Sequence, residues 1–250
     1  RVAKIVAQAA AKHLTPTMLE LGGKNPCVVD HTARIRVAAR RIVFGKFLNC
    51  GQTCIAPDYI LVHESVKESL IAGMIASIKK SYGADESRSD DYGHIINIHH
   101  FDRLQNLLDR QSIRYGGKTN ANNRYIQPTI VEVKDTTNSL MEEEIFGPIL
   151  PILTFQTDED LKAIIQQYEK PLSFYVFSQR KRWAKNLMHT YSFGGGIIND
   201  TLLQFTNRNL PFGGIGQSGM GAYHGKHSFF AFSHDKPFIQ RSSWPDPSMR

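Results

Sequence analysis

Apolar positions recur along the chain with two periods, and the alternation between them outlines the fold. Over residues 2–13, Val2, Ile5, Val6, Ala9 and Ala10 fall on one helical face of an alanine-rich stretch that Pro16 ends. The stretch opens without Met or a capping residue, and it reads as the interior of a helix whose start is missing. Thr17-Met18-Leu19-Glu20-Leu21 reads as a short strand running into Gly22-Gly23-Lys24, and Pro26-Cys27-Val28-Val29 as a second apolar run. Residues 33–47 predict a helix with Ile35, Ala39, Ile42, Val43 and Phe47 as its stripe and Arg36, Arg40 and Lys46 elsewhere on its surface. Residues 59–63 read as a strand. Residues 65–82 predict a helix in which Val66, Leu70, Met74 and Ile78 recur every four residues, widened by Ile71 and Ile75 and stopped by Gly83. Residues 101–111 read as helix, Gly116-Gly117 as a break and residues 126–133 as a strand.

Strands and helices then alternate. Residues 149–155, 173–177 and 196–199 read as strands, and residues 158–168 and 181–188 as helices. Thr157 is placed to cap the first of these helices, with Glu159 and Asp160 at its positive end. This order predicts an α/β domain with a mostly parallel sheet. Residues 211–221 are too glycine-rich for a helix or strand and read as a functional loop close to other backbone or to a ligand. Phe212, Met220 and the segment Phe229-Phe230-Ala231-Phe232 argue against a mere spacer. The polar tail, residues 241–250, reads as loosely held.

Composition narrows the class. At 250 residues and 41% hydrophobic, the chain can build one large domain or two modest ones. Its net charge of +7 is dispersed, and the densest basic groups, Arg34, Arg36, Arg40 and Arg41 and then Arg180, Lys181, Arg182 and Lys185, fall on solvated helix faces. No nucleic-acid motif accompanies them. Three cysteines make no disulfide framework and suit a reducing, cytoplasmic compartment. No charged-then-apolar segment at the start of the sequence marks secretion, and the longest apolar run, residues 145–155, is too short to span a bilayer and holds two prolines. The chain reads as soluble. Metal binding is a weak reading: three residues separate Cys50 from Cys54, and His94, His99 and His100 lack a carboxylate partner.

Two side chains carry candidate chemistry. Cys54 follows a predicted helix and a sharp turn at Gly51, where a thiol can be held still and partly open beside a group that stabilises its thiolate. For an arbitrary cysteine a buried packing role is the default. Glu20, at a strand end before two glycines, is a candidate general base whose burial would raise its pKa toward neutrality; a solvent-facing strand end is an equal reading. Gly22-Gly23-Lys24 is not a phosphate loop, because the upstream glycine is missing and Asn25 follows the lysine; a tight turn is simpler.

Together these pieces resemble a family. Leu19-Glu20-Leu21-Gly22-Gly23-Lys24-Asn25-Pro26 resembles the glutamate motif of the aldehyde dehydrogenase superfamily, and Phe47-Leu48-Asn49-Cys50-Gly51-Gln52-Thr53-Cys54 its cysteine motif. Glu143-Glu144-Ile145-Phe146-Gly147-Pro148 resembles the third motif, and Pro211-Phe212-Gly213-Gly214 with Ser218-Gly219 the fourth. Residues 52–59 and 219–229 are similar to class 3, the fatty, medium-chain and aromatic aldehyde branch.

The resemblance implies an α/β, aldehyde dehydrogenase-like catalytic domain over residues 24–210. Residues 1–23 would be the remnant of a Rossmann-type cofactor domain, and residues 211–250 the active-site loop and carboxy-terminal segment. It implies NAD- or NADP-dependent oxidation of an aliphatic or aromatic aldehyde to a carboxylic acid. Cys54 would attack the carbonyl to give a thiohemiacetal, hydride transfer would leave a thioester, and Glu20 would activate the hydrolytic water. Glu144 would accept from the nicotinamide ribose with Phe146 near the ring, the Cys54 amide would supply half of the oxyanion hole, Phe212 would line the substrate tunnel and Asn199 would brace the site. A homodimer is implied. Peripheral membrane association stays open, although the long apolar carboxy-terminal anchor of some class 3 relatives is not seen. Cys50 reads as packing or as a redox partner. Family members carry a long amino-terminal part with most of the dinucleotide fold and the second oxyanion donor. The chain therefore resembles a carboxy-terminal portion, expected to turn over weakly by itself. The competing readings are a non-catalytic fragment acting through subunit association and a cysteine esterase.

Overall fold

Strands that are apolar throughout become the middle of a sheet covered on both faces. In chain order the computed structural model, which describes residues 2–242, contains α1 (Val2–Ala11), β1 (Leu19–Glu20), β2 (Pro26–Val29), α2 (Ile35–Phe47), β3 (Tyr59–His63), α3 (Lys67–Tyr82), α4 (Ile98–Leu107), β4 (Ser112–Tyr115), β5 (Thr119–Asn120), β6 (Tyr125–Ile126), β7 (Thr129–Glu132), β8 (Ile149–Phe155), α5 (Asp158–Ile165), β9 (Ser173–Phe177), α6 (Lys181–Thr190), β10 (Gly195–Ile198), α7 (Leu203–Thr206), β11 (Gly219–Met220) and α8 (Lys226–Ala231). Seven strands form one sheet in the order β10-β9-β2-β3-β8-β7-β4. Every neighbouring pair from β10 to β7 is parallel, and β4 closes the edge antiparallel to β7. The expected α/β architecture is the observed one.

Each β2 residue is buried, as its unbroken apolar run requires. The α2 stripe (Ala39, Ile42, Val43, Phe47) and the α3 stripe (Leu70, Ile71, Met74, Ile78) are buried in the main core. Gly83 ends α3 with φ +87, a conformation suited to glycine. Thr157 and Asp160 form a reciprocal capping box at the start of α5.

Several expectations need correction. Lys46, assigned above to a solvated face of α2, is fully buried. The strand expected over residues 126–133 is two elements, because Pro128 has no N–H to donate to a ladder: β6 pairs with β5, while β7 joins the main sheet. Helix α5 ends at Ile165 rather than continuing to Tyr168. The glycine-rich segment is not wholly loop, since β11 pairs with β1 there, Glu20 opposite Gly219. The close backbone approach expected of it is present: a Cβ on Gly213, Gly214 or Gly219 would collide with the carbonyl oxygen of Gly221, Ser218 or Leu19 respectively. Helix α1 forms as expected, yet none of its residues is buried. Most of the polar tail lies outside the described residues. Among the described residues no helix is long and apolar enough to cross a membrane.

Candidate active site

The chain leaves α2 through three consecutive positive-φ residues, Asn49, Cys50 and Gly51, at +52, +56 and +73. A Cβ on Gly51 would collide with the Gly147 carbonyl, so glycine is required both by conformation and by the close approach of a second segment. Beyond the turn, the backbone is held from the sheet. Asn25 Nδ2 donates to the carbonyls of Cys54 (2.7 Å) and Ala56 (3.0 Å), and Tyr175 donates to that of Ile55 (2.6 Å). Asn25 Oδ1 in turn accepts from Ser173 N–H at 2.8 Å. Sequence reasoning missed both anchors; a lone Asn entering an all-apolar strand was the available signal.

Glu20 reaches the thiol from β1. Cys54 Sγ donates to Glu20 Oε1 at 3.7 Å, and Tyr223 donates its hydroxyl proton to Glu20 Oε2. The two expected residues are thus brought together, and of the two readings of Glu20 the solvent-facing one holds: its side chain is exposed, because a two-residue strand covers only one side of it. Nor does a neighbour stabilise the Cys54 thiolate. Burial pushes the thiol up to about 11, the Glu20 carboxylate and Glu144 push the same way, and only its own backbone amide opposes them. The resting pair is a neutral thiol against a carboxylate. Tyr223 is pushed up to about 12, first by its hydrogen bond to Glu20 and then by burial, so it stays a donor. It too was missed as a site residue; the aromatic between Ala222 and His224 was read only as part of a branch pattern.

One wall of the site is apolar. Ile55, Leu172, Leu202 and Phe212 form a buried cluster against which Cys54 and Tyr223 pack. Phe205 meets Phe212 edge-on at 4.9 Å. Phe212 and Tyr223 exchange backbone hydrogen bonds of 2.7 and 2.8 Å, which fixes the aromatic wall and the Glu20 donor as one unit.

On the other side of β1 lies an open cleft of about 900 Å³, lined in part by Leu21, Gly22, Gly23, Glu144, Ser218 and Met220. Glu144 projects against bare backbone: a Cβ on Gly22 would occupy the space of its carboxylate. Burial and then Asp58 push Glu144 up to about 7, against the Gly23 amide, Lys46 and Lys24. Phe146 sits at φ +51, its ring 37% exposed and its carbonyl accepting from His100 Nε2 at 2.7 Å.

The family model described as the aldehyde dehydrogenase family matches residues 1–237. The chain belongs to the aldehyde dehydrogenase family. Rat aldehyde dehydrogenase family 3 member A2 is 50% identical over 238 residues, 95% of this chain and 49% of that protein. The dog aldehyde dehydrogenase named dimeric and NADP-preferring is 46% identical over 249 residues, 100% of this chain and 55% of that protein. The substrate-bound state of Staphylococcus aureus AldH matches with a TM-score of 0.97 at 49% identity, covering 99% of this chain and 54% of that one. The chain thus spans about half the length of the relatives it matches.

Within this aldehyde dehydrogenase frame, Asn199 and Lys46 lie outside the Cys54–Glu20 contact. Asn199 has no hydrogen bond with Cys54, Glu20 or Glu144. Its side chain exchanges two hydrogen bonds with Ser178, and its carbonyl accepts from Arg41, so it joins β9 and β10 to the helix that leads to the thiol. Lys46 is fully buried near Asp58, Glu144 and Cys50. Its Nζ has no hydrogen-bond partner among the described residues. Burial pulls its pKa down to about 8; Asp58, Glu144 and Cys50 pull upward and Lys24 downward. A folded pKa below the unfolded value of about 10.4 means that the unfolded chain binds more protons between those values, so the cost is full at neutral pH and fades as pH rises. Lys46→Met is therefore expected to raise stability by on the order of 2 kcal/mol at pH 7, a gain that shrinks toward pH 10. Denaturant titrations at the two pH values check this; a loss of stability at pH 7 contradicts it.

Proposed function

We propose that the protein oxidises an apolar aldehyde, aliphatic or aromatic, to its carboxylic acid with Cys54 as nucleophile and Glu20 as base. The observation that carries this reading is the 3.7 Å contact of Cys54 Sγ with Glu20 Oε1 beside an apolar wall. Glu20 accepts the thiol proton as sulfur attacks the carbonyl, so the thiolate forms only when its electrophile is present. After hydride departs, an acyl thioester remains on Cys54. Glu20, which is exposed, gives the thiol proton up to solvent, takes another from the water that hydrolyses the thioester, and returns it to the Cys54 sulfur as the acid leaves, while the Tyr223 hydroxyl keeps the carboxylate turned toward the sulfur.

NAD or NADP fits the cleft beside β1: Glu144 offers a carboxylate acceptor there, and the Gly22–Gly23 backbone is bare beside it. When bound, the nicotinamide supplies the hydride acceptor. Glu144 would hold it through ribose hydroxyls, with Phe146 beside it. Three free cysteines favour a reducing compartment, and the dimer named for the dog relative favours a homodimer. The test is an acid quench of the whole protein mixed with a medium-chain aldehyde and cofactor, followed by peptide mass mapping. An acyl mass on Cys54 is expected; steady turnover with acyl groups on another residue, or on none, overturns the assignment.

A further inference from the structure

The Gly22-Gly23-Lys24 sequence, first read as a tight turn, has a role that the reaction steps above leave unused. Lys24 is buried, and its ammonium is fully engaged: it donates to Asp58 Oδ2 at 2.6 Å, to the Leu140 carbonyl at 2.5 Å and to the Glu143 carbonyl at 2.8 Å. Asp58 is buried as well, and its other oxygen, Oδ1, accepts the Ile145 N–H at 3.0 Å. Glu143 and Ile145 are the two peptide neighbours of Glu144. One ion pair therefore grips the backbone on both sides of that residue, the cation holding the carbonyl before it and the anion holding the amide after it.

The same three-residue run also seats the side chain. The Gly23 amide favours the charged form of the Glu144 carboxylate, and the missing Cβ of Gly22 leaves the room that the carboxylate fills. A turn needs only glycine's conformational freedom, and Gly22 and Gly23 are not in the positive-φ region. The absence of side chains is instead needed for space, which a pure turn does not explain.

We propose that Gly22, Gly23 and Lys24 together with Asp58 form a clamp that positions Glu144 for the cofactor, so that Lys24 and Asp58 are positioning residues of the reaction. The proposal rests on the reading of Glu144 as the ribose acceptor. It also gives the glutamate motif a second role, because Glu20 and the clamp lie on one short segment, which fixes the base and the cofactor contact relative to each other. A buried ion pair is poor evidence for stability in itself, because desolvation offsets its attraction; a pair retained for geometry accounts better for its three ties to backbone groups.

The test measures NAD and NADP dissociation constants of the whole protein by fluorescence titration across the pH range where Glu144 titrates, without turnover. Glu144→Gln is the reference and is expected to weaken binding roughly ten- to a hundredfold, the range for losing hydrogen bonds to a charged group. Gly22→Ala is expected to approach that loss while remaining folded, since only the tip of the Glu144 side chain must move. The charged and titratable groups that interact with Glu144 are Asp58, Lys46, Lys24 and the Cys54 thiol. Asp58→Asn removes the anion that raises Glu144, so the pH midpoint of binding should fall. Lys24→Met removes a cation and frees Asp58, so the midpoint should rise. Opposite shifts from the two partners of one ion pair are not expected of a staple that only stabilises the fold. Should Lys24→Met not fold, the Asp58→Asn shift and the Gly22→Ala loss decide. If Glu144→Gln binds like the parent, the acceptor reading falls and the clamp falls with it. If Glu144→Gln binds weakly while Gly22→Ala and Asp58→Asn bind like the parent with an unmoved midpoint, the clamp alone is overturned.

Discussion

Cys54→Ala is expected to lower aldehyde oxidation by the whole protein by roughly three orders of magnitude or more, the scale on which enzymes lose rate when a covalent nucleophile is removed. The effect should appear in kcat rather than in KM, because the apolar wall of Ile55, Leu202 and Phe212, proposed above to face the aldehyde, is left in place. Stability should hardly move. Cys54 packs against the edge of the apolar cluster rather than in the main core, and the hydrogen bonds that shape its turn end on its backbone carbonyl. Steady-state kinetics and a thermal melt on the same sample check both halves. Residual turnover within about tenfold of the parent would remove the covalent mechanism.

Glu20→Gln should move two measurements in opposite directions. Turnover should fall roughly a hundred- to ten-thousandfold, the usual worth of a positioned base, and the acyl group on Cys54 should persist because hydrolysis loses its proton acceptor. Alkylation of the resting thiol by iodoacetamide should nevertheless speed up. The Glu20 carboxylate disfavours the thiolate through its charge and through the hydrogen bond it accepts, helping burial push the thiol up to about 11. Removing that negative charge lowers the thiol pKa, so more thiolate is present at any pH below it. A labelling rate that falls along with turnover would mean that Glu20 assists the resting thiolate, and the proton order proposed here would be wrong.

How much of this was legible beforehand depends on how local each signal is. The parallel sheet could be read because β2, β3, β8 and β9 are short apolar runs separated by helical periods, each interpretable within its own window. The cysteine turn was legible because Gly51 and the helix before it are contiguous. Lys46 was not. Its position relative to the apolar stripe suggested surface, and only the return of distant segments carrying Asp58 and Glu144 closes over it. Tyr223 and Asn25 escaped for a related reason, since their partners lie 203 and 29 residues away along the chain. The two readings of Glu20 could not be separated from its own segment; it is exposed because a strand of two residues, paired on one side, cannot bury what it carries.

The pairing of β1 with β11 sets an order of assembly. All seven strands of the large sheet, and the segment that carries the thiol, have been made once the ribosome passes Ile198. The carboxylate has no partner strand until Gly219 and Met220 emerge, and no phenol to orient it until Tyr223 follows. A nascent chain can therefore hold a finished scaffold whose sulfur still lacks its base, and the proposed pair is complete only when that late-made segment folds back onto β1.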